Sequence, residues 1–245
     1  KYLIFPTECG TLLIEIFSGG KGMNRQRRAG ILLPVSSLPG PYGIGTLGRG
    51  AYRFLDRLAD SGMKIWQVLP LLPTNYGDSP YQSFSTFAGN PYFIDLETLI
   101  EDELLTKEEC DQADFGENEE EIDYEKIYNA RFKVLKLAYA RAKKNGLMES
   151  KAYRTYLEEE KAWLADYALY MAVKDSFDGK SWDQWEEDIR LRKPEAIAAY
   201  QEQLSAEIDF YEFLQYLFAG QWAGLKTYAN EQGIEIIGDI PIYVA

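Results

Sequence analysis

The chain reads as an α/β protein built on a parallel sheet, and two matching stretches far apart in the sequence carry that prediction. Each runs helix, glycine, apolar strand, proline. Gly62 precedes Ile65 by three residues and Pro70 by eight, and Gly233 precedes Ile236 by three and Pro241 by eight. A buried apolar run led into by the helix that covers it is the pattern of a parallel α/β sheet or barrel. A third observation bounds the sheet: from about residue 97 to 205 the chain has little strand character and several charged helical stretches.

The elements follow in order. Ala29 to Pro34 is a short apolar run that reads as a buried strand, followed by the turn-rich segment Pro39 to Gly45. Arg49 to Ser61 places Tyr52, Leu55, Leu58 and Ala59 on one helical stripe, and Gly62 is positioned to end that helix in a left-handed cap. Ile65 to Leu72 is the second strand. Asp123 to Asn145, Ser150 to Lys174 and Pro194 to Glu207 are the helices of an insertion, whose Trp163, Tyr167, Tyr170, Trp182 and Trp185 are expected to form a small core of their own. Asp209 to Gln232 is the next helix and Glu235 to Val244 the third strand.

Composition narrows the chemistry. The chain has 245 residues, 46% of them hydrophobic, which is enough for a substantial core in one large domain or two smaller ones. Its formal charge is −13, but residues 101–125 hold thirteen acids against the single base Lys107, so the acidity is local. With no basic patch, a nucleic-acid partner is not expected, and neither is a membrane partner. Cys9 and Cys110 are the two cysteines, too few for a disulfide framework or a metal-ligand pattern, which fits a reducing, cytoplasmic setting. Histidine is absent, so a Ser-His-Asp or Cys-His machine is excluded within these residues and acid–base chemistry falls to carboxylates, Lys or Tyr. Tyr2 to Phe17 is apolar but interrupted by Pro6, Glu8 and Glu15, and no clean cleavage site follows, so it does not read as a targeting signal. Gly19 to Met23 is encodable by a purine-rich run ending in a start codon, so residues 1–22 are expected to be a translated leader and 23–245 the native part.

The stretch from Asn75 to Ile94 is rich in turn-formers and carries one formal charge, on Asp78. Tyr76, Tyr81, Phe84, Phe87 and Tyr92 supply flat faces, while Ser79, Gln82, Ser83, Ser85 and Asn90 supply neutral hydrogen-bonding groups. An apolar ring face with a rim of hydroxyl partners is what a sugar requires. The other reading is a rigid loop whose aromatics seal the end of a core.

Ser37-Leu38-Pro39, Tyr42-Gly43-Ile44-Gly45, Trp66-Gln67-Val68-Leu69-Pro70-Leu71, Gly77-Asp78-Ser79-Pro80-Tyr81-Gln82-Ser83, Ala88-Gly89-Asn90-Pro91-Tyr92, Gln221-Trp222 and Ile237-Gly238-Asp239-Ile240-Pro241-Ile242-Tyr243-Val244 together closely resemble the 4-alpha-glucanotransferases, also called amylomaltases or disproportionating enzymes. The resemblance runs in order from about Arg28 to Ala245. It implies the amino-terminal part, about three units, of a (β/α)8 barrel of the α-amylase kind. The implied substrates are α-1,4-glucans and glucose, with no cofactor and no metal. Such enzymes transfer a glucan segment with retention of configuration, which takes two carboxyl groups about 5 Å apart. The family's nucleophilic aspartate follows the fourth barrel strand, and its motif does not occur before Ala245, nor does that of the acid/base. No catalytic residue is therefore expected in this chain, and the missing carboxyl-terminal part of the barrel is its expected partner. By resemblance Ser79, Tyr81 and Gln82 line the donor side of the cleft, and Tyr76 belongs to an accessory glucan contact. Asp239 supports the catalytic carboxylates, its other role being to cap the loop that follows. A stand-alone carbohydrate-binding module and part of an α-glucan hydrolase are the alternatives.

Overall fold

The computed structural model describes residues 27–75, 77–118 and 120–244. The expected leader, 1–22, lies outside the described residues, as does Tyr76. Strand β1 (Gly30–Leu32) is followed by helix α1 (Arg49–Asp60) and strand β2 (Ile65–Gln67), and a two-residue strand β3 (Gln82–Ser83) comes next. Seven helices follow: α2 (Leu96–Glu101), α3 (Lys107–Asp111), α4 (Tyr124–Lys144), α5 (Lys151–Ser176), α6 (Glu187–Arg190), α7 (Pro194–Gln203) and α8 (Ser205–Glu231). Strands β4 (Glu235–Ile237) and β5 (Tyr243–Val244) close the described chain.

β1, β2 and β4 form one sheet in that order, all parallel, with Ile31, Trp66 and Ile236 in one row and Leu32, Gln67 and Ile237 in the next. The two glycines of the repeated pattern do the same job: Gly62 at φ +72° and Gly233 at φ +71° each turn the chain from helix to strand in a left-handed conformation that a Cβ would disfavour. The strands are shorter than their apolar runs. Pro70 and Pro241 cannot donate to a ladder, and the run Glu235 to Val244 divides into β4, an irregular stretch through Asp239 to Pro241, and β5. β5 pairs with β3, Gln82 facing Tyr243.

Side chains alternate across the sheet, so Trp66 and Leu32 lie on opposite faces. The Trp66 face is covered at its centre, though Ile31 on the outer strand is exposed: Trp66 is 0% exposed, and α1 buries Ala51, Leu55 and Leu58 at i, i+4 and i+7. α8 buries Phe210, Phe213, Leu214, Leu217, Phe218, Leu225 and Ala229 along one stripe. On the other face Leu32 is 54% and Ile237 44% exposed, although strands of a parallel sheet are normally covered on both sides.

The helical part departs from expectation in two places. The stretch Pro194 to Glu207 is not one helix: it breaks at Leu204, which adopts φ −106° and buries its side chain beside Leu169, Trp185 and Ile189. The aromatics do not form a core of their own either. Trp185 belongs to that small cluster, but Tyr167 joins the main core, Trp163 packs on it, and Trp182 stays exposed. The reason is α8, which begins among the helices and ends under the sheet, so α5 packed along it shares one continuous core with α1 and β2. Helix ends follow local chemistry: Asp123 caps α4 and Ser150 caps α5 through backbone N–H groups of their first turns, and Thr106 with Glu109 forms a capping box on α3. Among the described residues no helix is long and apolar enough to cross a membrane.

α8 also carries a pH-sensitive group. Burial, with the Asp209 carboxylate adding to it, pushes the Glu212 pKa up from 4.5 to about 7. An acid whose folded pKa exceeds its unfolded value holds its proton more tightly when folded, so stability falls as pH rises from the unfolded pKa to the folded one and then levels off. Glu212→Gln should therefore raise the thermal midpoint at about pH 8, by an amount worth about 1–2 kcal/mol after solvent screening, and leave it nearly unchanged at about pH 4. The same shift at both pH values would show that Glu212 does not titrate in this way.

Candidate functional site

The candidate loop leaves the carboxyl end of β2 and is shaped by its own backbone. Thr74 and Ser83 form an antiparallel bridge, and the Asn75 N–H donates to the Gln82 carbonyl at 3.2 Å, so Thr74-Asn75 and Gln82-Ser83 are the paired arms of a small hairpin. Gly77 at φ +90° and Asp78 at φ +52° turn its tip, aspartate being among the few residues that tolerate this region. Ser79-Pro80-Tyr81-Gln82 closes as a β-turn, the Gln82 N–H donating to the Ser79 carbonyl at 3.1 Å, with proline at the position that its fixed φ favours. The Ser79 Oγ accepts the Tyr81 N–H at 3.4 Å.

That turn presents Tyr81 to the segment that follows β4 and to β5. The Tyr81 hydroxyl donates to Asp239 Oδ2 at 2.9 Å, and the Tyr81 carbonyl accepts the Tyr243 N–H at 3.1 Å. Asp239 Oδ1 accepts the N–H of Ile240 at 2.9 Å. One carboxylate therefore holds the N–H that follows it and anchors a tyrosine 158 residues away in sequence. The bond to Asp239, with burial adding to it, raises the Tyr81 phenol above its ordinary pKa, so the ring keeps its proton at neutral pH. Of the residues singled out from sequence, the structure brings together Ser79, Tyr81, Gln82 and Asp239.

Other groups of the loop turn inward. The Ser83 Oγ is buried within hydrogen-bonding distance of the Pro73 carbonyl at 2.6 Å and the Ser85 carbonyl at 2.8 Å. The Ser85 Oγ accepts the N–H groups of Phe87 and Ala88, both at 3.1 Å, and Asn90 Oδ1 accepts the Tyr92 N–H at 3.0 Å. Tyr92 is buried against Tyr124, and burial pushes its phenol well above the usual value. Phe84 packs near Tyr170, while Phe87, 59% exposed, stacks on Trp163 at 6.0 Å. For Ser83, Ser85, Asn90 and Tyr92 the rigid-loop reading therefore holds, because a buried turn must satisfy its own backbone first.

Asp78 carries the loop's one formal charge. Its carboxylate accepts the Thr74 hydroxyl at 2.8 Å, and burial outweighs that bond and raises its pKa. It lines a cavity of about 30 Å³ with Ser36, Thr74, Asn90, Tyr92 and Tyr124, far below the few hundred Å³ of an ordinary ligand pocket. A larger cavity of about 190 Å³ lies among α5, α6 and α7, and none of Ser79, Tyr81, Gln82 or Asp239 lines it. Among the described residues no three His, Cys, Asp or Glu side chains are grouped to hold a metal ion. Asp78 and Asp239 are each bonded to a hydroxyl of the fold, an arrangement that orients side chains.

Residues 33–245 match the sequence model of a family described as 4-alpha-glucanotransferase. The chain is 52% identical over 211 residues to the 4-alpha-glucanotransferase of Clostridium butyricum, covering 86% of this chain and 43% of that protein. It is 45% identical over 224 residues to that of Thermus thermophilus, covering 91% of this chain and 44% of the relative. Among solved structures, the amylomaltase from Streptococcus agalactiae in complex with acarbose superposes with a TM-score of 0.83 at 44% identity, over 89% of this chain and 44% of the other. The chain thus spans less than half the length of these relatives. With its matched segment running through both the Tyr81 turn and Asp239, the chain belongs to the 4-alpha-glucanotransferase family.

Proposed function

We propose that this chain is the amino-terminal part of a 4-alpha-glucanotransferase. It supplies about three units of a (β/α)8 barrel with a helical insertion at about 97–205. The complete enzyme moves α-1,4-glucan segments to the 4-hydroxyl of a second glucan or of glucose, in the cytoplasm and without a cofactor. The observation that carries the reading is the Tyr81–Asp239 hydrogen bond. It ties the loop after β2 to the loop after β4, both at the carboxyl ends of parallel strands, where α/β sheets and barrels place their active sites. Tyr81 then offers a ring face to the sugar of the donor, Ser79 and Gln82 offer neutral hydrogen bonds at its rim, and Asp239 holds the ring. Tyr76 extends the contact. The exposed row of Leu32 and Ile237 supports the same reading, since a barrel completed by further strands would enclose that face.

Cleaving the glycosidic bond with retention needs a nucleophile and a proton donor together, and neither is assigned to a residue here. Incubation with maltotriose tests the reading. The full-length protein is expected to release glucose and build longer maltodextrins, and this chain alone is expected to give no turnover. Formation of shorter sugars only, by the full-length protein, would mark a hydrolase. Turnover by the purified chain itself would overturn the assignment of the missing carboxyl groups.

A further inference from the structure

We propose that Gln215 and Gln221, two glutamines of α8, are positioning residues that set the glucan-facing loop relative to Asp239; the inference rests on the proposed role of that loop. Each glutamine binds one backbone residue twice. Gln215 Oε1 accepts the Gly89 N–H at 2.7 Å and its Nε2 donates to the Gly89 carbonyl at 2.9 Å. Six residues on, Gln221 Oε1 accepts the Asp95 N–H at 2.6 Å and its Nε2 donates to the Asp95 carbonyl at 3.2 Å. Gly89 and Asp95 are themselves six residues apart, so one helix holds both ends of the segment that closes the loop.

The contact between the two clamps is close. A Cβ on Gly89 would lie 2.0 Å from the Phe218 ring, so the backbone rests directly on α8. Gln215 is only 2% exposed, where leucine would fill the space without the cost of desolvating an amide. The amide is useful because Gly89 lies in a loop with no ladder neighbour, and its buried N–H and carbonyl need partners. Asp95 is held further: its side chain caps α2 through Thr98 and accepts the Thr46 hydroxyl at 2.7 Å.

The consequence for the site lies in the chain path. α8 leads through Gly233 into β4 and on to Asp239. The stretch from Tyr81 to Gly89 is thus fixed at one end by Asp239 and at the other by Gln215, both carried on the same continuous segment. The Asn90 N–H to Leu71 carbonyl bond at 2.8 Å closes the base of the loop. Moving the Tyr81 turn away from Asp239 breaks the Tyr81–Asp239 bond and the β3–β5 pairing, and the Gln215 clamp resists the same movement from the other end of the stretch, so α8 acts as the ruler between the sugar platform and the supporting carboxylate.

Gln215→Leu keeps the bulk and removes both bonds. In this chain, hydrogen exchange of the segment 81–90 should speed up by at least about tenfold while β1 and β2 keep their protection. In the full-length enzyme, kcat/KM for maltotriose should fall by at least about tenfold. Combined with Tyr81→Phe, the loss should be smaller than the product of the two single losses, because either change frees the same loop; independent sites would multiply. Gln221→Leu provides the same test should Gln215→Leu fail to fold. Unchanged exchange in 81–90, faster exchange with unchanged kcat/KM, or multiplicative losses would each overturn the inference. Absence of transfer by the wild-type enzyme would strike the proposed function instead and leave the exchange result to decide whether α8 holds the loop.

Discussion

Trp66→Ala is expected to destabilise the protein by about 3–5 kcal/mol, the range for deleting a buried tryptophan or phenylalanine side chain. Domains of this kind are held together by about 5–15 kcal/mol, so the variant should be close to unfolding at ordinary temperature. Three observations set the size. Trp66 is fully buried in the central strand of the sheet, its indole N–H donates to the Leu33 carbonyl at 2.9 Å, and its ring meets the edge of Phe54 at 5.2 Å. Alanine would leave a cavity between the sheet and α1 and take the indole donor from the Leu33 carbonyl, just past β1. Trp66→Phe fills most of the space and loses the hydrogen bond alone, so it should cost about 1–2 kcal/mol. Denaturant midpoints at constant m-value measure both. A loss below about 1 kcal/mol for the alanine variant would mean that the site collapses and that Trp66 is not the keystone its burial indicates.

Tyr81→Ala is expected to lower kcat/KM for maltotriose in the full-length enzyme by about a hundredfold, while the thermal midpoint moves little. The two effects separate because the Tyr81 ring lies at the rim of the sheet, where its removal leaves α1, β2 and α8 packed as before. Tyr81→Phe keeps the ring face and loses the bond to Asp239, and Asp239→Asn keeps the shape and weakens the acceptor. Both should fall between wild type and Tyr81→Ala. Full activity in a folded Tyr81→Ala enzyme would remove Tyr81 from the substrate site. Full activity in Asp239→Asn would leave Asp239 with the local task of holding the Ile240 N–H.

Much of the scaffold was legible because its signals are local. Gly62 and Gly233 each end a helix where a positive φ is needed, and the proline eight residues later lies past the end of each strand, where a missing donor keeps the ladder from resuming. Neither depends on what lies across the molecule. The strand lengths were overestimated for a complementary reason: an apolar run such as Glu235 to Val244 records burial without recording where hydrogen bonding stops, and the irregular stretch at Asp239 interrupts it. The break at Leu204 was invisible too, since helical periodicity continues through a residue whose backbone is set by burial next to Trp185.

The candidate site divides along the same line. Sequence alone determined the residue types: a loop of aromatics and neutral polar groups after an apolar strand, and an aspartate at the end of another. Family motifs made Ser79, Tyr81, Gln82 and Asp239 stand out among them. Tertiary structure decided which of those groups face each other. Ser83, Ser85 and Asn90 serve the backbone of their own loop, and Tyr92 is buried against Tyr124, because a compact turn must satisfy its amides before it can offer hydroxyls to a ligand. The Tyr81–Asp239 bond and the Gln215 and Gln221 clamps span 126 to 158 residues, and such pairs leave no periodic trace in a single sequence. They exist because α8 is one helix joining the inserted helices to the sheet, and only the packing of that helix brings the distant partners within hydrogen-bonding reach.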